Sequence, residues 1–157
     1  MRLQLVDRVI ELEPGKRIVV SKVLSRAEEY LADHFPKRPV MPGVMMLQIC
    51  VEAGMWLLRE GGHAPYGAVL REVRNIRYGN FFEPGNEMIA TVELMKAEGG
   101  RFQFKAEGHV GENRTIQARM ILEPLSVESP DGRTLARVAD KVSKSLDERW
   151  ALLAGAK

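Results

Sequence analysis

His34-Phe35-Pro36-Lys37-Arg38-Pro39-Val40-Met41-Pro42-Gly43-Val44 runs without a break into the apolar stretch from Met45 to Leu58. Pro36, Pro39 and Pro42 forbid regular structure across the first part of this run. From Gly43 to about Glu60 the spacing predicts a helix, because Val44, Leu47, Val51, Gly54, Leu57 and Leu58 recur at steps of three and four. The helix is apolar around most of its circumference, so its expected place is the centre of the domain. Gly61-Gly62 ends it.

Strand patterns lie on both sides of this helix. Leu5 to Leu12 alternates apolar and charged residues, Glu13-Pro14-Gly15-Lys16 reads as a turn, and Arg17 to Leu24 reads as a second strand. Ser25-Arg26-Ala27-Glu28 has capping-box spacing and predicts one or two helical turns before Asp33. Downstream, four strand-like runs cover Gly67 to Ile76, Glu87 to Ala97, Arg101 to Val110 and Thr115 to Glu123. Glu83-Pro84-Gly85-Asn86, Glu98-Gly99-Gly100 and Gly111-Glu112-Asn113 punctuate them, the last two as hairpin turns. About six mostly antiparallel strands around one long helix make an α+β architecture.

Ser129-Pro130-Asp131-Gly132 then breaks the pattern. Beyond it Leu135, Val138, Val142, Leu146, Trp150 and Leu153 step by three or four, an amphipathic helix with Arg133, Arg137, Lys141 and Lys144 on its other face. The expected organisation is one domain over 1–125 and a C-terminal extension over 126–157. The extension's expected role is to pack on its own domain or a partner subunit, with a carrier-protein or membrane-surface contact as the alternative.

At 157 residues the chain is sized for one domain with a working core. Its net charge of +2 and 6% aromatic content argue against nucleic acid. The one cysteine, Cys50, excludes an internal disulfide and sits among Leu47, Ile49 and Val51 as a small buried hydrophobe. The opening residues carry charges throughout, with no apolar leader, and no stretch approaches a membrane span, so the expected compartment is the cytoplasm. No His, Asp or Glu pair has metal-ligand spacing, and neither a nucleophile elbow nor a phosphate loop is present. His63 and His109 read as surface or packing residues.

His34 is different, because its loop leads to a helix start. A titratable imidazole close to free backbone N–H groups suits proton abstraction beside a carbonyl. The first N–H groups of a helix, here those of Gly43 and Val44, lack intrahelical partners and face the positive end of the helix dipole, which favours a developing enolate oxygen.

The run HFPKRPVMPGV, the preceding LVDRVIELEPGK and the later FFEPGN resemble the 3-hydroxyacyl-acyl-carrier-protein dehydratases of fatty acid synthesis, over about residues 4 to 124. The resemblance implies the hotdog fold, a long central helix wrapped by an antiparallel sheet, in homodimers or trimers of dimers. It implies that His34 removes a proton from C2 of a 3-hydroxyacyl thioester and that the Gly43 N–H polarises the carbonyl. It also implies that histidine and acid come from different subunits, and that the substrate rides on phosphopantetheine of an acyl carrier protein or coenzyme A, with no other cofactor.

The chain departs from that pattern at the acid. Fourteen residues after the histidine, where the family has Glu or Asp, stands Gln48, and one turn later, where the family usually has Gln, stands Glu52. Positions i and i+4 share a helix face, yet one turn is about 5.4 Å along the axis, too far to exchange hydrogen bonds without a shifted substrate. Lys37 replaces a loop glycine, and with Arg38 it marks a tunnel mouth or a contact to an acidic carrier protein. Arg71, Arg74 and Arg77 extend that basic rim or are merely solvated positions. Three activities fit: a dehydratase, a disarmed subunit that binds acyl chains or carrier protein or pairs with an active homologue, and a thioesterase using Glu52 to activate water.

Overall fold

A computed structural model describes residues 4–35, 37–129 and 135–155. Six strands form one antiparallel sheet: β1 (Arg8–Glu13), β2 (Arg17–Val23), β3 (Ala68–Tyr78), β4 (Glu87–Glu98), β5 (Arg101–Val110) and β6 (Asn113–Pro124). Their spatial order is β1-β2-β4-β5-β6-β3, so β1 and β3 are the edges. Helix α1 (Gly43–Glu60) lies in the hollow of the sheet, and helix α2 (Ala136–Gly155) follows the last strand. This is the α+β hotdog arrangement expected from the sequence.

The core forms where α1 meets the inner faces of the strands. Ile49, Cys50, Ala53, Trp56 and Leu57 pack with Ile18, Val20, Met88, Ala90, Val92, Phe104, Met120 and Leu122. Alternation along β4 and β5 sends one residue in two to this side, the period-two pattern of a half-covered sheet. Gly54 allows the helix to sit this close, since a Cβ there would lie 2.8 Å from Leu122 Cδ1.

One local expectation is corrected. Leu5 and Val6 precede β1 instead of starting it; both are buried, and their N–H groups go to a side chain of α1 rather than to a strand ladder. After Ser25, whose side chain accepts the Ala27 N–H at 3.1 Å rather than that of Glu28, one 3-10 turn over Glu29–Leu31 supplies the single helical turn expected before Asp33. Pro36, the break at Pro130, Asp131 and Gly132, and the basic residue Arg133 lie outside the described residues.

Helix α2 packs on the domain. Leu153 is fully buried in the common core, Leu146 and Trp150 pack against it, and the Trp150 ring lies 5.5 Å from that of Trp56. Among the described residues no helix is long and apolar enough to cross a membrane.

Candidate active site

The histidine loop is held by the FFEPGN segment. Met41 donates its N–H to the carbonyl of Phe82 at 2.8 Å, and Phe82 is fully buried. Arg38 pairs with Glu83 at 2.8 Å and lays its guanidinium 5.3 Å from the centre of the Phe81 ring. The two motifs, separate in sequence, are thus one structural unit. Arg38 has its charge matched, whereas Lys37 is exposed with no ion pair among the described residues.

His34 is half-buried, and its ring meets the Phe35 ring edge-on at 4.6 Å. Phe35 itself has φ +51°, a left-handed conformation uncommon for a bulky residue. Such local strain persists only where the surroundings over-determine it, and it concentrates at functional loops.

The loop ends at Pro42, the N-cap of α1, which offers no side-chain acceptor. Its carbonyl takes the N–H groups of Met45 and Met46 at 2.9 and 3.2 Å. The N–H groups of Gly43 and Val44 have no acceptor among the described residues, and the Val44 side chain is exposed. Two amide donors at the positive end of an 18-residue helix form an oxyanion-type site. The Tyr78 ring, at the end of edge strand β3, covers Gly43: a Cβ there would lie 2.8 Å from Tyr78 Cε1. Any side chain at position 43 must therefore displace this ring, and the sequence contained no hint that Tyr78 was the neighbour.

Gln48 and Glu52 both line a cavity of about 350 Å³, together with Val51, Met55, Trp56 and Tyr66. His34 does not line it. Glu52 turns its carboxylate to the N-terminal segment, where Oε2 accepts the N–H groups of Leu5 at 2.8 Å and Val6 at 3.1 Å. Burial raises its pKa above the ordinary 4.5, opposed by these two amides, by the Arg149 guanidinium and by the nearby Trp56 indole. The indole nitrogen reaches no acceptor at hydrogen-bond geometry, so its influence on Glu52 is one of proximity. Arg149, on α2, donates to the carbonyl of Val6. Neither Arg149 nor the Leu5–Val6 backbone was readable as part of this cluster.

The remaining candidates lie elsewhere. Cys50 is wholly buried, which pushes its thiol up to about 12. Arg71 pairs with Glu123 at 3.0 Å and Arg74 with Glu72 at 2.5 Å on the exposed sheet face, where such pairs add little. Arg77 lines a groove with Lys105 and Arg119. His63 is exposed with its ring 5.1 Å from that of Phe102, and His109 sits in β5 opposite Ile89. Among the described residues no group of three His, Cys, Asp or Glu side chains could hold a metal ion.

Comparison with known proteins agrees with the fold. The FabA-like domain family matches residues 1–119. A 3-hydroxyacyl-[acyl-carrier-protein] dehydratase FabZ from Acidovorax sp. (strain JS42) is 38% identical over 121 residues, covering 74% of this chain and 83% of the relative. The FabZ of Verminephrobacter eiseniae is 35% identical over 131 residues, covering 81% and 87%. Among solved structures, the dehydratase heterocomplex ApeI:P from Xenorhabdus doucetiae superposes with a TM-score of 0.63 at 15% identity, covering 78% of this chain and 84% of that one, a likeness of fold alone.

Proposed function

The chain belongs to the FabA-like family of 3-hydroxyacyl-[acyl-carrier-protein] dehydratases, and on that premise we propose that it converts 3-hydroxyacyl thioesters to trans-2-enoyl thioesters in the building of fatty or related acyl chains. The observation that carries the reading is the start of α1, where two unclaimed amide donors directly follow the His34 loop. In this scheme the Gly43 and Val44 N–H groups hold the thioester oxygen as negative charge develops on it. His34 takes the C2 proton, the C3–O bond breaks, and the imidazolium returns that proton to the departing hydroxyl, which leaves as water. One such donor contributes about 3 kcal/mol of transition-state stabilisation. Gln48 orients the hydroxyl by hydrogen bonding, while Glu52 serves structure, a role supported by its two backbone partners.

The elimination moves protons and an electron pair between C2 and C3, so the scheme uses no cofactor; the substrate is carried on phosphopantetheine, by a carrier protein or coenzyme A. Lys37 and Arg38 at the loop are the proposed contact to an acidic carrier. The assembly we propose is a homodimer, or a trimer of dimers, acting in the cytoplasm. In it the unpaired edge of β3 meets its copy, and His34 of one protomer works over Gln48 of the other. The test is interconversion of 3-hydroxyacyl and trans-2-enoyl thioesters by purified protein; no turnover by intact oligomers removes the reading.

A second reading is favoured by one observation: Gln48 has no titratable proton and the Glu52 carboxylate is already engaged. On it the chain is a disarmed subunit that pairs with an active homologue. Gln48→Glu separates the two, since a large gain of activity from a silent wild type supports disarmament and a modest change in an active one supports the first reading.

A further inference from the structure

The cavity beside Gln48 has a wall that the family match does not account for. Its floor is α1, through Gln48, Val51, Glu52, Met55 and Trp56. The opposite wall is α2, through Val142, Leu146 and Arg149, and α2 lies wholly beyond residues 1–119. The helix is firmly seated there. Leu153 is fully buried, the Trp150 ring lies against that of Trp56 at a tilt of 36°, Arg59 meets Asp147 at 2.6 Å, and Arg149 donates to the Val6 carbonyl. The partly open space of about 350 Å³ is near the small end for ligand pockets, which begin at roughly 300 Å³. Val142 and Leu146 present apolar surface to it, whereas Arg149 and Glu52 place polar groups on its boundary, where an extending apolar chain would strip them of water.

We propose that α2 is the end wall of the acyl-binding cavity and restricts this protein to short acyl chains, with Val142 and Leu146 as the specificity-determining side chains. The inference rests on the acyl-thioester reading above, because the cavity opens on Gln48, the position that reading assigns to the substrate hydroxyl. Each methylene accommodated or refused by an apolar pocket changes selectivity by roughly 10-fold or more.

The experiment measures binding separately from turnover. Full-length wild type and Leu146→Ala are titrated with butanoyl-, octanoyl- and hexadecanoyl-pantetheine analogues bearing a ketone in place of the thioester. The chain's two tryptophans, Trp56 and Trp150, both at this helix contact, report binding by fluorescence. The expected result is that wild type prefers the shortest analogue and that Leu146→Ala shifts the preference toward octanoyl by about 10-fold. Leu152→Ala, on the exposed face of α2, leaves the preference unchanged. Equal binding of all three analogues by wild type overturns the proposal, as does an unaltered preference in a Leu146→Ala protein of native circular dichroism. If Leu146→Ala fails to fold, Val142→Ala takes its place with the same criterion. Chain-length selective binding without turnover of any 3-hydroxyacyl thioester leaves this inference standing and removes the catalytic one.

Discussion

The carboxylate of Glu52 is fastened to the backbone of Val6: its Oε2 accepts the Val6 N–H at 3.1 Å, and the neighbouring Leu5 N–H at 2.8 Å. A single side chain thereby closes the N-terminal segment onto the central helix, and Arg149 of α2 closes on the same segment through the Val6 carbonyl. Three parts of the chain meet at one buried ionisable group.

Burial raises the pKa of Glu52 above 4.5, so the folded protein holds this proton more tightly than the unfolded chain. Stability then falls as pH climbs from 4.5 through the raised folded value, and the penalty is complete above it. Glu52→Gln keeps an acceptor for both amides and removes the titration. It is expected to raise Tm by a few degrees at neutral pH, with the gain closing as pH falls toward the ordinary carboxylate range. A gain that is independent of pH would refute the linkage. Glu52→Leu leaves two buried N–H groups without acceptors and lowers stability at every pH, by about 1–3 kcal/mol for each.

Gly43 and Tyr78 are coupled by contact. A Cβ at position 43 would lie 2.8 Å from Tyr78 Cε1, and the half-exposed ring must swing away to admit it. Gly43→Ala is expected to cost about 1 kcal/mol and to lower kcat/KM. In the Tyr78→Ala background the same substitution costs less, and a double-mutant cycle on chemical denaturation measures the difference. Additive costs would deny the contact.

His34→Ala is expected to reduce dehydration by about 10²–10⁴-fold, the usual contribution of a general base, with little change in Tm because the imidazole is only half-buried. The check is a continuous assay at the absorbance of the enoyl thioester, run beside thermal melts. A variant that melts many degrees lower would assign His34 to structure instead.

Cys50 is wholly buried, and burial holds its thiol at about 12. It is therefore expected to resist thiol reagents in the native protein, with labelling that follows global unfolding as denaturant is added. Rapid labelling of the native protein at neutral pH would contradict the packing of α1.

The agreement between sequence and structure has a local cause. Helix α1 spans Gly43–Glu60 as its three- and four-residue steps predict, and β5 spans Arg101–Val110 between its two glycine turns. Both elements follow from period and punctuation within a short window. Pattern and structure part where a side chain intervenes: Leu5 and Val6 look like strand, but Glu52 takes their amides.

Apolar period, proline breaks and turn glycines determine an α+β sheet around one long helix, the family resemblance of the His34 run adds the hotdog arrangement, and the His34–Gly43 spacing places a proton acceptor near a helix start; these are properties of neighbours along the chain. Tertiary structure alone decided that Tyr78 covers Gly43, that Glu52 serves the N-terminal backbone, and that α2 walls the Gln48 cavity. Those contacts join residues as far apart as 47 and 143 positions, so no local pattern encodes them. Burial, by making an unpaired amide or carboxylate costly, selects which distant partner each group finds.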